Sequence, residues 1–138
     1  MEKDNLLEIS NHLNNVQIIC GDYKVSENFV DKNTFVYFDP PYRPFTETAA
    51  FTSYSKGGFD DAEQKRLRDF CDQIAAMRSL FVASNSDPQN VDNDDDFFDH
   101  LYRMFNIKRV SAARMINSKG DRRGAISEIM ISNVANAY

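Results

Sequence analysis

An apolar run that ends in two prolines constrains the fold of this chain more than any other feature. Residues 34–38 read Thr-Phe-Val-Tyr-Phe, and Asp39, Pro40, Pro41 and Tyr42 follow at once. The run is typical of a strand buried on both faces of a mostly parallel sheet, and the prolines end it because they fix φ and lack an N–H group. The turn therefore presents a carboxylate and an aromatic ring, which suits a planar ligand that carries an amino group.

Length and composition predict a folded chain rather than a disordered one. The chain has 138 residues, of which 42% are hydrophobic and 12% aromatic, and this is enough for one core. We expect residues 1–138 to form a single domain. No apolar run approaches the roughly 20 residues of a membrane helix, and the first residues lack a basic region followed by an apolar stretch. We therefore expect a cytoplasmic protein without a membrane partner.

The cysteines and histidines do not predict a metal site. Cys20 and Cys71 each fall inside an apolar pattern, which predicts buried free thiols. His12 and His100 have no cysteine or histidine three or four residues away.

The charges are segregated along the chain although the net charge is −5. Six aspartates lie within residues 87–99, whereas residues 103–123 carry seven basic side chains and one aspartate. A basic segment of this kind is compatible with a surface that faces phosphates. A charge run is more often only a solvated face, and that alternative stays open.

The pattern of the remaining chain predicts strands that alternate with helices. Asp60 is placed to cap a helix through about Met77, and the turn at 117–121 predicts an antiparallel hairpin. The predicted helices cover residues 5–13, 25–30, 60–77 and 95–104, and the predicted strands cover residues 16–20, 34–38, 80–83, 108–116 and 125–134. Residues 44–58 are expected to form a long loop, which in compact domains is often functional.

Three polar segments follow predicted strands. They are Gly21-Asp22, the turn from Asp39 to Tyr42, and Ser84-Asn85. Ligands of open α/β sheets bind beyond the carboxyl ends of the parallel strands. We therefore expect the three segments to converge at one edge, although a plain turn remains an alternative for the first and a helix entry for the third.

Longer segments resemble the C-terminal half of the Dam-type (D12 class) DNA adenine N6-methyltransferases, over about residues 15–134. The residues that carry the resemblance are 38–54, Gly58-Phe59, Gln64, 84–87, 114–116 and 123–128. The resemblance implies an incomplete Rossmann-like, S-adenosylmethionine-dependent methyltransferase sheet, mostly parallel with a C-terminal antiparallel hairpin. Family members also carry a Phe-x-Gly-x-Gly loop, a ribose-binding acid and a target-recognition region nearer the N-terminus. No Gly-x-Gly occurs here, so we expect a C-terminal fragment of the catalytic domain.

The resemblance also implies roles for the residues of the turn. The Asp39 carboxylate and the Pro40 carbonyl would accept the two N6 hydrogens of adenine, Pro41 would stiffen the turn, and Tyr42 would stack on a flipped-out base. Asp39 would also border the cofactor.

Further roles concern the cofactor and DNA. Asp22 and Tyr23 would contact the cofactor adenine. The expected contacts with DNA, besides Tyr42, are Phe51, Thr52, Tyr54, Arg114, Lys119, Arg122 and Arg123. The aromatic and threonine side chains of this set could instead anchor the loop. The basic side chains could instead be solvated charges of the hairpin. Glu128 is expected to have a structural role, paired with one of the arginines.

Two interpretations of the whole chain remain at this point. In the first, it is the catalytic half of a bacterial, archaeal or phage methyltransferase of the kind found in restriction-modification, with double-stranded DNA as partner. Alone, this half would bind S-adenosylmethionine weakly or not at all. In the second, it is a non-catalytic module that associates with itself, or pairs with an N-terminal half, through uncovered sheet edges.

Overall fold

The computed structural model describes residues 3–44, 59–113 and 125–134. The helices and strands of these residues are α1 (Lys3–Leu13), β1 (Phe35–Phe38), α2 (Asp61–Ala76), β2 (Leu80–Ser86), α3 (Phe97–Leu101), β3 (Asn106–Ala113) and β4 (Ala125–Ser132). Short 3-10 helices cover Tyr23–Phe29 and Pro88–Asn90. Among the described residues, no helix has both the length and the apolar character that crossing a membrane requires.

The four strands form one sheet in the order β1-β2-β4-β3. β1 and β2 are parallel, whereas β4 runs antiparallel to both of its neighbours, β2 and β3. The α/β class and the C-terminal antiparallel hairpin are confirmed. The expectation of a mostly parallel sheet is wrong for the described strands, because the hairpin inserts β4 beside β2 and two of the three ladders become antiparallel.

Helix α2 packs against one face of the sheet. Asp60 caps it by accepting hydrogen bonds from the backbone N–H groups of Ala62 and Glu63, as predicted. Its buried stripe comprises Gln64, Leu67, Phe70, Cys71 and Ile74. The centroid of the Phe70 ring lies 5.9 Å from that of the Phe38 ring in β1, and the Phe38 centroid lies 6.2 Å from that of Phe81 in β2. These edge-on contacts fix the helix to the strands that lead into the turn.

The two faces of the sheet differ in burial. The covered face, against α2, carries the buried side chains of Phe38, Phe81, Ala83, Ile129 and Ile131. The open face carries Phe35, Tyr37, Leu80, Ser84 and Met130. Phe35 and Tyr37 are each 59% exposed, so the prediction that β1 is buried on both faces is wrong. Side chains alternate along a strand, and none of the described elements encloses these two.

The segment before the first 3-10 helix differs most from its prediction. Residues 16–20 form no strand, and Ile18 is 78% exposed. Cys20 is exposed, which contradicts the prediction of a buried thiol, whereas Cys71 is free and buried as predicted. A β-rich run forms a strand only where another strand pairs with it, and none of the described strands lies beside this segment.

Candidate functional site

The Asp39 carboxylate lies at the carboxyl end of β1, on the open face. Its Oδ1 accepts a hydrogen bond from Oγ of Ser84 at 3.1 Å, and Oγ of Ser84 accepts one from the Tyr37 hydroxyl at 3.2 Å. Asp39 itself is exposed. The carboxylate is therefore oriented by its neighbours and still has acceptor positions that face solvent.

The aromatic ring of the turn is half-buried and held at its far end. The Tyr42 hydroxyl donates to Oε2 of Glu128 in β4 at 3.4 Å. Burial raises the pKa of Tyr42, and the negative charges of Glu128 and Asp39 add to the rise against a lowering hydrogen bond with Ser84. Tyr42 therefore stays a neutral donor at physiological pH. Glu128 is expected to pair with an arginine, but Tyr42 is the partner that the described residues provide.

Buried side chains of α2 and β2 hold the backbone of the turn. Gln64 donates from Nε2 to the Pro41 carbonyl at 3.2 Å. The Arg43 N–H donates to Oδ1 of Asn85 at 2.9 Å, and the Arg43 carbonyl accepts from the Ser86 hydroxyl at 2.8 Å. The three side chains that make these bonds are at most 4% exposed. Asn85 thus lies within β2 and contacts the turn, rather than in the predicted exit after the strand.

The Arg43 side chain ties the turn to two helices. Its Nε lies 2.8 Å from Oδ1 of Asp61 at the start of α2, and its Nη1 lies 2.7 Å from Oδ2 of Asp95, just before α3. The guanidinium carbon is 4.3 Å from the centroid of the Phe97 ring. Burial alone would lower the pKa of Arg43, but the two carboxylates outweigh it and raise the pKa. The planar guanidinium suits this double pairing and stacking, as a lysine would not.

The predicted cofactor residues, Asp22 and Tyr23, have structural partners. Asp22 accepts hydrogen bonds from the Lys24 N–H at 2.9 Å and from Nη2 of Arg66 at 2.7 Å. Both bonds lower the pKa of Asp22, and the bond from Lys24 has the larger effect. The Tyr23 ring packs 5.6 Å from Phe70, and burial raises the pKa of Tyr23 to about 12. The Asp22 side chain is still 46% exposed and can accept further bonds. Contact with a cofactor stays a prediction for both residues.

Of the three predicted polar segments, the structure brings two together. The turn after β1 and the end of β2 share the Ser84 and Asn85 hydrogen bonds. Gly21-Asp22 does not follow a strand, since residues 16–20 form none, so the strand predicted before it is wrong and its convergence with the other two segments stays a prediction. Two parallel strands that end side by side in polar residues are the usual position for ligands in α/β sheets.

Several predicted residues lie outside the described residues, and their roles stay predictions: Phe51, Thr52, Tyr54, Arg114, Lys119, Arg122 and Arg123. Within residues 3–44, 59–113 and 125–134, no group of three or more histidine, cysteine, aspartate or glutamate side chains is placed to hold a metal ion.

Sequence reasoning missed the contacts of Gln64 and Arg43 with the rest of the site. Gln64 stands on the helical stripe of Leu67, Cys71 and Ile74. A polar side chain in that register indicates a buried hydrogen bond, so the helical pattern of the sequence could have identified Gln64. The partners of Arg43 are 18 and 52 residues away in the chain, and no local pattern identifies them.

Comparisons with known proteins find one family and several relatives that are similar to this chain. The family of D12 class N6 adenine-specific DNA methyltransferases matches residues 1–116. Over 96% of its length, the chain is 46% identical to the Type II methyltransferase M.MjaIII of Methanocaldococcus jannaschii. Over 99% it is 37% identical to the Type II methyltransferase M1.LlaDCHI of Lactococcus lactis subsp. cremoris, and over 93% it is 25% identical to the DNA adenine methylase of Haemophilus influenzae.

The chain spans less than half the length of these three relatives, namely 44%, 46% and 43%. The family match covers both the turn and the residues that hold it from α2 and β2. The resemblance read from residues 38–54 and the later segments is confirmed. The chain belongs to the D12 class N6 adenine-specific DNA methyltransferase family.

Proposed function

We propose that this chain supplies the catalytic turn of an enzyme that methylates N6 of adenine in DNA, with S-adenosylmethionine as methyl donor. One observation carries the proposal: the exposed Asp39 carboxylate is oriented by Ser84 at the carboxyl edge of the sheet. Relatives named DNA adenine methylase support adenine as the acceptor. Because the chain spans less than half of its relatives, the activity belongs to a larger assembly that includes it.

The turn activates adenine N6 by accepting hydrogen bonds. The lone pair of N6 is delocalised into the ring, which makes the nitrogen a poor nucleophile. When the Asp39 carboxylate and the Pro40 carbonyl accept the two N6 hydrogens, the nitrogen moves towards a tetrahedral geometry and its lone pair becomes available. S-adenosylmethionine, when bound, supplies the electrophilic methyl group. Because Ser84 orients the Asp39 carboxylate and the proline rings restrain the backbone, little reorganisation is needed during transfer.

Tyr42 provides a surface for the target base. A base inside the duplex cannot reach the turn, so it must be flipped out. Stacking of a base on an aromatic side chain contributes about 1–3 kcal/mol. The hydrogen bond to Glu128 holds the Tyr42 ring at its hydroxyl end, so the position of the ring is restrained before DNA arrives.

The described residues fit the adenosine part of the cofactor better than its methionine part. The half-exposed Asp22 carboxylate can accept from the amino group of an adenine, and the neighbouring Tyr23 ring offers an apolar surface. The glycines of the chain form no Gly-x-Gly loop. We therefore place the methionine contacts on residues that this chain does not supply.

Methylation of DNA tests this proposal. Plasmid DNA without adenine methylation is incubated with S-adenosylmethionine and the chain, either alone or mixed with the portion of M.MjaIII that the chain does not match. N6-methyladenine is then measured by mass spectrometry of the digested nucleosides. We expect product from the mixture and little from the chain alone. Intact M.MjaIII is the positive control, and a mixture that forms no product although both parts bind each other would contradict the proposal.

A second candidate function, a non-catalytic partner module, is favoured by the exposed apolar side chains of the open face. Phe35, Tyr37, Leu80 and Met130 are between 38% and 59% exposed, and such patches often mark interaction surfaces. Light scattering of the chain at high concentration tests for self-association, and a strict monomer would count against it. A mixture that methylates DNA equally well with Asp39→Ala would favour this second candidate over the first.

A further inference from the structure

We propose that Asn85 and Gln64 are positioning residues for methyl transfer. From the covered face they hold the backbone on both sides of Tyr42, and they thereby place the Asp39 carboxylate and the Pro40 carbonyl. The effect on catalysis rests on the proposed function, whereas the effect on the turn does not.

The two amides form a continuous chain of hydrogen bonds to the turn. Asn85 donates from Nδ2 to Oε1 of Gln64 at 3.2 Å. Gln64 in turn donates from Nε2 to the Pro41 carbonyl at 3.2 Å, and Asn85 accepts the Arg43 N–H at 2.9 Å. The pair therefore grips one peptide group before Tyr42 and one after it.

Burial makes this arrangement specific. Gln64 is fully buried and Asn85 is 2% exposed. A buried amide is costly unless its donors and acceptors are paired, and here the carbonyl oxygen and the amide nitrogen of both side chains are used. Apolar side chains would fill the same space without this requirement. A buried polar pair whose nitrogen and oxygen atoms all have partners favours one geometry over its alternatives.

The turn needs such support because of its own sequence. Pro40 and Pro41 have no N–H group, so this stretch of backbone has few donors of its own. The Arg43 N–H is one of them, and Asn85 binds it. A displacement of about 1 Å at a reacting group can lower the rate about 100-fold. Loss of the amide pair is therefore expected to act on the rate of transfer more than on DNA binding.

The chain contains a matched control. Asn133 accepts the Phe81 N–H at 2.8 Å and donates to the Ser79 carbonyl at 2.8 Å. It thus makes the same two kinds of bond as Asn85, at the opposite end of β2. The variant Asn133→Ala removes bonds of the same type without touching the turn.

Amide hydrogen exchange, followed by NMR on the chain itself, tests the grip directly. We expect Asn85→Ala to speed the exchange of the Arg43 N–H by about tenfold or more, and Asn133→Ala to leave it unchanged. Gln64→Met keeps the side-chain volume and provides a second variant if Asn85→Ala does not fold. It should speed the same exchange. An Arg43 exchange rate that neither variant changes would overturn the proposal.

The catalytic part is tested with the mixture that methylates DNA, below the melting temperature of every variant. We expect Asn85→Ala and Gln64→Met to lower kcat by about tenfold or more while the KM for DNA changes little. Asn133→Ala should leave kcat unchanged, even if it lowers the melting temperature as much as Asn85→Ala does. An equal loss of kcat in Asn133→Ala would overturn the positioning role. Absence of methylation by an unsubstituted mixture whose two parts bind each other would refute the proposed function. It would leave the positioning of the turn intact, because the hydrogen-exchange result does not depend on methylation.

Discussion

The two faces of the sheet consist of the same strands but differ in burial and in the side chains that they carry. On the covered face, Phe81 and Ile131 are almost fully buried, and polar side chains there, such as Asn85, are hydrogen-bonded. On the open face, Phe35 and Tyr37 are 59% exposed. One face therefore contributes stability and the other presents chemical groups.

The turn after β1 depends on both faces. Ser84 reaches the Asp39 carboxylate on the open face, while the next residue, Asn85, reaches the Arg43 backbone from the covered face. Because side chains alternate along β2, consecutive residues hold the side chain and the backbone of one turn. The difference between the faces shows how an exposed carboxylate can have a fixed position.

The largest expected difference between the faces is in stability. Phe81→Ala should lower the free energy of unfolding by about 3–5 kcal/mol because it leaves a cavity in the core. Phe35→Ala, the same change on the neighbouring strand, should alter it by no more than about 0.5 kcal/mol. Urea denaturation of both variants measures this. If both variants lost the same free energy of unfolding, another surface would cover the open face in solution, and the two faces would not differ in their contribution to stability.

A smaller difference is expected between two adjacent basic residues of β3. Arg109 lies opposite Ile129 on the covered face and pairs with Asp87, which is 1% exposed, at 3.0 Å. Arg109→Ala should lower the free energy of unfolding by about 2 kcal/mol, because a buried carboxylate loses its cation but keeps its bond from Ser127. Lys108→Ala, on the open face, serves as control and should change it by less than about 0.5 kcal/mol. If Arg109→Ala lowered the free energy of unfolding by no more than Lys108→Ala does, the ion pair between Arg109 and Asp87 would contribute nothing to stability.

Removal of the Tyr42 hydroxyl should have a modest effect on methylation. Tyr42→Phe keeps the ring for stacking and loses one hydrogen bond to Glu128, which is worth about 1 kcal/mol. We expect a few-fold decrease in methylation by the assembled enzyme, and a similar decrease for Glu128→Ala, which removes the acceptor. Tyr42→Ala should lower the rate further, because the stacking surface is lost. Equal activity in Tyr42→Ala and the unsubstituted protein would remove Tyr42 from the site.

The smallest expected effect concerns the exposed Asp22 carboxylate. Hydrogen bonds from Lys24 and Arg66 lower the pKa of Asp22. A lowered folded-state pKa stabilises the protein above the ordinary aspartate value of about 3.9, and this contribution is lost as the pH falls through the folded-state pKa. Thermal melts between about pH 2 and pH 5 should show a shallower decline for Asp22→Asn than for the unsubstituted protein. Identical slopes would contradict this role of Asp22.

The sequence predicts those parts of the fold that depend on neighbouring residues. The cap at Asp60, the stripe of α2 and the two strands of the hairpin follow from local patterns, and the structure has them. The turn after β1 follows from its prolines. Residues 16–20 have a strand-like composition, but a strand depends on a partner that composition does not reveal.

The candidate site is predictable only in part for the same reason. Asp39 and Tyr42 stand out because they follow a strand and a proline pair. The bond between Asn85 and Gln64 joins residues 21 apart in the chain, and the Tyr42 to Glu128 bond joins residues 86 apart. Such contacts depend on strand order, which the periodicity of the sequence does not determine.

The rate of N6-methyladenine formation with Asp39→Ala, measured in the mixture that methylates DNA, tests the central claim most directly. We predict a loss of about 100-fold or more, the size expected when a fixed group in a transition state is removed. The melting temperature of the chain should remain nearly unchanged, since Asp39 is exposed. Methylation at the unsubstituted rate would contradict the account, because the oriented carboxylate would then have no part in the reaction.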